Sequence, residues 1–141
     1  MLSNQSLEKL YTMIESDEGC RLKPYRCTQG FLTLGIGRNI DSKGISREEA
    51  ILMLKNDVAE CVEALERLEF YYDLNDVRKC VLVNMCFNLG VAGFMGFRKM
   101  IEALKIGHYD GAAKEIRESK AAKQTGNRYE RLAYYMERGE W

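Results

Sequence analysis

The first helix of this 141-residue chain has to end near Glu18. Apolar side chains recur at helical spacing over residues 7–14, and Ser6 is available as an N-cap. Gly19 suits the position just past a helix end, and Pro24 prevents a continuation. Glu18 is therefore predicted on the last turn, where the negative end of the helix dipole disfavours the ionised carboxylate and raises its pKa. Such a position suits a general acid.

A short hairpin is predicted directly after this helix. Two strand candidates, 24–27 and 31–34, flank a three-residue turn that ends in Gly30 in the left-handed conformation. Side chains alternate along a strand, so their faces are fixed once the register is known. We therefore expect Cys27 and Thr33 to converge on one groove together with the acid at the helix end.

The composition describes a soluble globular protein with one core. Hydrophobic residues make up 46% and charged residues 30% of the chain. No apolar run approaches the length of a membrane span, and the N-terminus lacks the basic start and apolar stretch of a signal peptide. The formal net charge is zero, so long-range attraction to an anionic surface should be weak. No basic-aromatic alternation suggests nucleic-acid binding.

The cysteines and glycines do not form a cofactor site. Five cysteines without a CxxC pair indicate reduced thiols, and Cys61, Cys80 and Cys86 fall within apolar helical patterns typical of a core. His108 is the single histidine, and no zinc-ligand spacing surrounds it. Gly35-Ile36-Gly37 lacks the third glycine of a dinucleotide loop. We therefore expect no metal and no cofactor.

A long helix is predicted after the hairpin. Residues 38–44 are expected to form a loop, and Ser46 with Glu49 forms a capping box at the helix start. Apolar positions then share one stripe to about residue 68, as in a helix that packs on a core.

A second long helix, apolar nearly all round, is predicted over residues 77–89 and ends at Gly90. Within it Asn84 and Asn88 are four residues apart and share one face. Buried amides need hydrogen-bond partners. These two side chains therefore either bridge backbone groups in the core or face a cleft and bind a ligand.

The remainder is predicted to consist of short helices. A turn-rich connection at 90–96 leads to helices over 97–105 and 109–119. A loop at 124–128 then enters the last helix.

Glu18, Cys27 and Thr33 stand in the spacing Glu-x8-Cys-x5-Thr, followed by Gly35-Ile36-Gly37. This pattern resembles the active-site stretch of the phage-type lysozymes, the muramidase endolysins, in a variant with Cys at the position of the usual Asp. Several separated motifs in the right order are more specific than one acid and one hydroxyl, and the similarity covers nearly the whole chain. The later motifs are LNDVR at 74–78, NMCFNLG at 84–90 and QTGNR at 124–128.

The resemblance implies a mainly α (α+β) lysozyme-like fold, with residues 1–141 as a single domain of two lobes. A small lobe with a β hairpin or sheet would cover about 15–55. A long connecting helix over about 47–68 would join it to a helical lobe of about 69–141, to which the N-terminal helix would also belong.

The implied activity is that of a glycoside hydrolase that cleaves the β-1,4 bond between N-acetylmuramic acid and N-acetylglucosamine in bacterial peptidoglycan. Glu18 would protonate the glycosidic oxygen, while Cys27 and Thr33 would hold and activate the attacking water in an inverting cleavage. An ordinary thiol, with a pKa of about 8.5, is largely neutral at pH 7 unless a cation such as Arg26 or Arg128 lowers that value. The plainer interpretations are a small hydrophobe at Cys27 and a solvated acid at Glu18.

Further roles follow from the resemblance alone. Arg128 would reach across to orient Glu18, and Arg38 would form an ion pair with Asp57. The resemblance also favours the cleft for Asn88 and, less strongly, for Asn84. The residues expected to line the sugar sites are Phe31, Leu32, Asn84, Asn88 and Arg128.

The implied partner is bacterial peptidoglycan, with no nucleic acid and no stable membrane insertion. We expect a monomer that is made in the host cytoplasm without a signal peptide, is released by a holin-type partner and acts on the wall in the periplasm. Two other functions stay open: a catalytically weak peptidoglycan-binding or regulatory relative, and a lytic transglycosylase, which needs the glutamate but no partner that activates water.

Overall fold

The computed structural model describes residues 1–141, which form two compact units, Met1–Ile51 and Leu52–Trp141. The predominance of helix beside one small antiparallel sheet confirms the predicted mainly α, α+β class. In chain order the elements are α1 (Asn4–Glu18), β1 (Arg21–Arg26), β2 (Leu32–Gly35), β3 (Arg38–Asn39), α2 (Arg47–Leu65), a 3₁₀ helix (Glu69–Asp73), α3 (Asp76–Met95), α4 (Arg98–Lys105), α5 (Tyr109–Arg117), α6 (Lys120–Gln124) and α7 (Arg128–Arg138).

Helix α1 ends where the sequence predicts. The N–H of Gly19 donates to the carbonyl of Glu15 at 2.8 Å, which closes the last turn directly after Glu18. The predicted N-cap is wrong, however, because the side chain of Ser3 accepts from the N–H of Ser6 at 3.2 Å. The helix therefore begins at Asn4, ahead of the first apolar residues of the periodic pattern, because the Ser3 hydroxyl caps it there.

Strands β1 and β2 form the predicted hairpin. At its turn the N–H of Cys27 donates to the carbonyl of Phe31 at 2.9 Å, and the N–H of Gly30 donates to the carbonyl of Cys27 at 2.8 Å. Gly30 has a φ of 84°, the left-handed conformation expected there. Three residues, 28–30, lie between the bonded residues Cys27 and Phe31, which confirms the predicted turn, although β1 ends at Arg26 and β2 begins at Leu32, each one residue short of the predicted strand at the turn.

The sheet has a third strand that the sequence does not reveal. Arg38 pairs with Leu34 and Asn39 with Thr33, in antiparallel register, so the expected loop over 38–44 begins as strand β3. Two residues are too few for an alternating pattern to be visible in the sequence. The pairing positions are set instead by the neighbouring strand β2, which gives the sheet the order β1-β2-β3.

Helix α2 begins with the predicted capping box. The N–H of Glu49 donates to the Ser46 hydroxyl at 3.1 Å, and the N–H of Ser46 donates to the Glu49 carboxylate at 3.2 Å. The helix runs for 19 residues and ends at Leu65, three residues before the predicted end, where a turn leads into the 3₁₀ helix. The reciprocal caps satisfy backbone amides that a helix start otherwise leaves unpaired.

The core of the second unit forms where α5 packs against α4 and α7, and where α3 packs against α7. The Asn75 side chain caps α3 by accepting from the N–H of Arg78 at 3.0 Å. Contrary to the sequence-based expectation, α3 has the length and composition of a membrane span, although it supplies six of the buried residues. Its side chains with 1% exposure or less are Val81, Leu82, Met85, Cys86 and Phe94.

One prediction for the second unit is wrong, and one short helix was not predicted. Gly90, with φ 74° and ψ 166°, breaks α3 as predicted, but helix resumes immediately and continues to Met95 instead of forming a turn-rich connection. Helix α6 begins ahead of the expected loop at 124–128, with the Ser119 hydroxyl accepting from the N–H of Ala122 at 3.1 Å. Ala121 is buried there, so tertiary packing favours a helix that the short local pattern does not mark.

Arg78 holds the end of α7 in place. Its guanidinium donates to the carbonyls of Met136 and Glu137 at 2.7 and 2.8 Å and lies 3.7 Å from the ring centroid of Tyr109. One side chain of α3 therefore satisfies carbonyls that the C-terminus of α7 leaves free, while it packs on α5.

Candidate active site

Glu18 occupies the last turn of α1, and its carboxylate lies against Gly37. A Cβ atom added to Gly37 would stand 2.8 Å from Oε2 of Glu18, closer than non-bonded atoms approach. Gly37 also has a φ of 66°, which side chains other than glycine rarely adopt. The glycine at this position therefore leaves the space that the carboxylate occupies.

The structure brings Cys27 and Thr33 together. Thr33 lies in β2, is 4% exposed and pairs with Tyr25 of β1, so its side chain lies on the same face of the hairpin as that of Cys27, two residues after Tyr25. The Thr33 hydroxyl donates to the carbonyl of Phe31 at 2.9 Å. Because a hydroxyl has one proton and two lone pairs, this bond leaves Thr33 an acceptor towards the groove side.

The Cys27 thiol lies in a turn whose amide groups favour its ionised form. The backbone amide of Gln29 is the largest cause that lowers the pKa of Cys27, with smaller contributions from Phe31 and Gly30. Partial desolvation acts in the opposite direction. The lowered pKa therefore arises from hydrogen bonds to the sulfur within the hairpin turn.

The expected cation is not the cause of this shift. Arg26, one candidate, donates from Nη1 to the carbonyl of Gly30 at 3.0 Å and lies 3.5 Å from a carboxylate oxygen of Asp41. Its guanidinium is thus engaged with the rim of the turn. Thiolate stabilisation by backbone amides was not predicted, because the sequence does not state where amide groups point.

Phe31 and Leu32 follow the turn. Phe31 is 41% exposed, and Leu32, the first residue of β2, is half-buried. The N–H of Leu32 donates to the carboxylate of Asp41 at 2.6 Å. An exposed aromatic ring beside Cys27 is available for contact with a ligand.

The candidate residues of the second unit form two hydrogen-bonded pairs between α3 and α7. Nε of Arg128 donates to Oδ1 of Asn84 at 3.0 Å, and the hydroxyl of Tyr129 donates to Oδ1 of Asn88 at 2.9 Å. Tyr129 is fully buried, and burial raises its pKa. Both asparagines are otherwise exposed, so they bridge side chains of the helical unit and keep their remaining amide atoms open to solvent.

Asn84 and Arg128 also lie at a groove of about 560 Å³ in the second unit. Apolar side chains of α2 and α3 line most of it, while Lys79 and Arg128 contribute cationic groups. Arg128 thus has a hydrogen-bond partner on α3 and a position at a concave surface. The apolar lining residues are Leu54, Val58, Val62, Val83 and Phe87.

The expected pair of Arg38 with Asp57 is wrong. Nη1 of Arg38 lies 2.8 Å from the Glu49 carboxylate and donates to the carbonyl of Gly44 at 3.2 Å. The hydrogen bond from Arg38 is the largest cause that lowers the pKa of Glu49, followed by those from Ser46. Glu49 in the first turn of α2 is fixed by its capping box and therefore provides a carboxylate within the first unit.

The cysteines outside the hairpin differ in their environments. No group of three or more His, Cys, Asp or Glu side chains is arranged to hold a metal ion, and all five cysteines are free thiols. Cys86 is buried as predicted, and desolvation with a hydrogen bond to Cys61 raises its pKa to about 11. Cys61 is half-buried, whereas Cys80 is exposed, so its predicted core position is wrong.

Two residues that sequence reasoning missed border this site. Gly37 was noted in the Gly35-Ile36-Gly37 segment without a role of its own, and Asp41 only as part of a loop. The signal available for Gly37 was a glycine in a turn after a strand, which suggests a positive φ. Asp41 gave no comparable signal, because its partner Leu32 is nine residues earlier.

Comparison with known proteins identifies similar chains. The model of the family described as Phage lysozyme matches residues 15–134. The chain is 33% identical to the endolysin of Acyrthosiphon pisum secondary endosymbiont phage 1, over 86% of this chain and 84% of the relative. It is 27% identical to probable T4-type lysozyme 1 of Dictyostelium discoideum, over 90% and 92%. It is also 29% identical to the pre-baseplate central spike protein Gp5 of Enterobacteria phage T4, over 85% of this chain but 26% of that protein.

Proposed function

We propose, starting from the fact that this chain belongs to the phage lysozyme family, that it is an endolysin-type muramidase that cleaves the β-1,4 bond between N-acetylmuramic acid and N-acetylglucosamine. Family membership makes the chain a glycoside hydrolase of the lysozyme kind, which lyses bacterial peptidoglycan. The particular bond, the inverting course and the residue roles are the finer part of the proposal.

Glu18 is the general acid. Inverting glycoside hydrolysis needs a protonated carboxyl group that delivers its proton to the leaving oxygen. The position of Glu18 supports this role, because its carboxylate is exposed at a helix end and the missing side chain of Gly37 gives it room. A solvated acid at a helix end would not require a neighbouring glycine at van der Waals distance.

Cys27 and Thr33 hold and activate the attacking water. The observation that carries the proposal is the placement of Cys27 in the hairpin turn, where turn amides lower the pKa of the thiol, on the same face as the buried Thr33 hydroxyl. A thiolate accepts a hydrogen bond from water and places negative charge near an oxocarbenium-like transition state. The proton of Thr33 is directed to the Phe31 carbonyl, which leaves its lone pairs to accept from the same water.

The sugar sites use exposed groups. Phe31 and Leu32 offer apolar surface next to Cys27, and the free amide atoms of Asn84 and Asn88 suit hydroxyl and acetamido groups. Arg128 contributes its remaining N–H groups and orients Glu18 when substrate is bound. These roles are proposed from the family resemblance and from the exposure of each side chain.

Peptidoglycan is the substrate, and the cell wall is the place of action. We further propose that the protein acts as a monomer, without stable insertion into the membrane, and reaches the periplasm through a holin-type release partner. Its zero net charge supports recognition through contacts in a groove over long-range attraction to the anionic wall.

Glu18→Gln tests the proposal, with Glu15→Gln one turn earlier on α1 as the matched control. Loss of a general acid costs about 10²- to 10⁴-fold in rate, so clearing of a suspension of purified cell walls should nearly stop for Glu18→Gln only. Equal clearing by both variants would favour a catalytically weak wall-binding relative.

Mass spectrometry of the released fragments decides the reaction type. A muramidase leaves reducing N-acetylmuramic acid ends and incorporates one oxygen atom from solvent, which H₂¹⁸O reveals. Products with 1,6-anhydro ends would show a lytic transglycosylase instead and would remove the role of Cys27 and Thr33 in water activation.

A further inference from the structure

The carboxylate of Asp41 takes the place of a strand residue at the end of the sheet. Strand β3 stops at Asn39, although the carbonyl of Leu32 still accepts from the N–H of Ile40 at 2.8 Å. The N–H of Leu32 then lacks a backbone acceptor, and the Asp41 side chain supplies one at 2.6 Å. The carboxylate therefore extends the pairing of β2 by one position.

Asp41 is also connected to the opposite side of the hairpin turn. Arg26 faces Leu32 in the register of β1 and β2, and its Nη1 lies 3.5 Å from Asp41. The same nitrogen donates to the carbonyl of Gly30 at 3.0 Å. Asp41 and Arg26 thus hold the turn over residues 27–31 from both strands.

This turn provides the groups that surround the Cys27 sulfur. The N–H of Cys27 donates to the carbonyl of Phe31 at 2.9 Å, which closes the segment that Asp41 and Arg26 enclose, and the amides of Gln29, Gly30 and Phe31 within it lower the pKa of the thiol. A short exposed hairpin is only marginally ordered by its own backbone bonds. The direction of these amides therefore depends on contacts at the base of the turn.

We propose that Asp41 is a positioning residue for Cys27, because its bond to Leu32 and its contact with Arg26 fix the hairpin turn that carries the thiol. The inference rests on the proposed function only for its consequence in catalysis; the geometric part stands without it. The contacts of Asp41 are with the N–H of Leu32 and the guanidinium of Arg26, so it acts on Cys27 through the turn.

The two contacts of Asp41 differ in strength. The pair with Arg26 is long, and the side chains are 67% and 45% exposed, so solvent screens most of its attraction. The bond from the Leu32 N–H is short and charge-assisted. Loss of Asp41 should consequently disturb the turn more than loss of the Arg26 guanidinium.

The pH dependence of Cys27 alkylation distinguishes positioning from simple electrostatics. The charged side chains flanking the turn are Arg26 and Asp41, and Glu18 is the other ionisable group proposed for the site. Removing a negative charge would by itself favour the thiolate and speed alkylation near neutral pH. Disordering the turn would remove amide hydrogen bonds from the sulfur and slow it. Asp41→Ala should therefore speed alkylation if only the charge of Asp41 matters, and slow it if Asp41 positions the turn.

The experiment measures iodoacetamide alkylation of Cys27 from pH 5 to 10 by peptide mapping in the full-length protein. We expect Asp41→Ala to shift the midpoint upward and to slow the reaction several-fold at pH 7. Asp41→Asn, which keeps an acceptor oxygen for Leu32 but no charge, should stay near the wild type. Asp73→Asn is the control for loss of an exposed carboxylate.

Wall lysis by the same variants tests the catalytic consequence. We expect a several-fold lower kcat for Asp41→Ala with KM unchanged, and recovery in Asp41→Asn. An unchanged or lowered alkylation midpoint in Asp41→Ala would overturn the positioning role. A raised midpoint with unaltered lysis would confirm the positioning and contradict the role of Cys27, and Glu18→Gln would still test the hydrolase separately.

Discussion

The Glu18 carboxylate lies where a side chain at residue 37 would begin, because a Cβ at Gly37 would lie 2.8 Å from Oε2 of Glu18. Gly35, two residues earlier, has a similar φ of 70° but no atom within 4 Å of the corresponding position. A substitution at Gly35 therefore tests backbone strain alone, whereas one at Gly37 tests strain together with contact with Glu18.

Gly37→Ala should lose both stability and activity, whereas Gly35→Ala should lose mainly stability. A non-glycine residue at positive φ costs about 1–3 kcal/mol, and that cost applies to both positions. Only the methyl group at residue 37 displaces the Glu18 carboxylate. Urea denaturation and wall lysis at matched folded fractions measure the two effects, and equal specific activity of both variants would contradict the role of this contact.

Cys27 should ionise at lower pH than an ordinary cysteine, and Cys86 at higher pH. Turn amides lower the pKa of Cys27, whereas burial raises that of Cys86 to about 11. Because the pKa of Cys27 is lower in the folded than in the unfolded protein, its thiolate stabilises the fold at a pH above the unfolded pKa. This contribution is lost as the pH falls through the folded pKa. Peptide mapping of alkylation against pH should give a lower midpoint for Cys27 than for Cys86. Coincident profiles for the two thiols would refute this difference in pKa.

Lytic activity should follow the ionisation of Cys27. If the thiolate activates water, alkylated protein loses lysis, and Cys27→Ser loses much of it because a hydroxyl of this kind does not ionise near neutral pH. Cys27→Asp should stay active, since a carboxylate fills the same role. Cys80→Ser, at an exposed thiol of the helical unit, is the control, and complete inactivity of Cys27→Asp would argue against a shared function in water activation.

The Glu49 carboxylate should stabilise the fold above its unfolded pKa and lose this effect in acid. The hydrogen bond from Arg38 lowers the pKa of Glu49, so the contribution disappears as the pH falls through the folded value, below about 4.3. Glu49→Gln should thus be less stable than wild type at pH 7 but similar near pH 3. Glu48→Gln is the control from the same turn, and urea midpoints that differ equally at both pH values would disprove this prediction.

Asn88→Ala should destabilise the helical unit through Tyr129. Its buried hydroxyl donates to Asn88, and an unsatisfied buried hydroxyl costs about 1–3 kcal/mol. Tyr129→Phe added to Asn88→Ala should recover part of this loss, which urea denaturation of the double-mutant cycle measures. Lysis that is normal in Tyr129→Phe but reduced in Asn88→Ala would identify a further role of the Asn88 amide in sugar binding, and no recovery in the double variant would exclude the coupling.

Local signals predicted the features that depend on neighbours in the chain. The stop at Glu18 followed from Gly19, the hairpin turn from Gly30, and the start of α2 from Ser46 with Glu49. In each case the hydrogen bonds that define the feature join residues no more than four apart. The local sequence alone is therefore sufficient to predict these features.

Features that depend on distant residues were missed. Strand β3 forms because its backbone pairs with β2. Helix α6 is stabilised partly by the burial of Ala121. The sequence likewise gave Arg38 the wrong carboxylate, since several acids lie within its reach along the chain and only the folded geometry selects Glu49. Cys80 shows the same limit, because an apolar helical pattern does not state which face is covered.

For this chain, residue types and spacing determined the family, the reaction class and the candidates Glu18, Cys27 and Thr33, because those depend on chemistry carried by individual side chains in a fixed order. The tertiary structure alone decided what surrounds them: the amides at the Cys27 sulfur, the space that Gly37 leaves for Glu18, and the attachment of Asp41 to Leu32. The physical reason is that backbone direction and non-local pairing arise when the chain folds, and they set the ionisation and orientation of groups whose identity the sequence already contains.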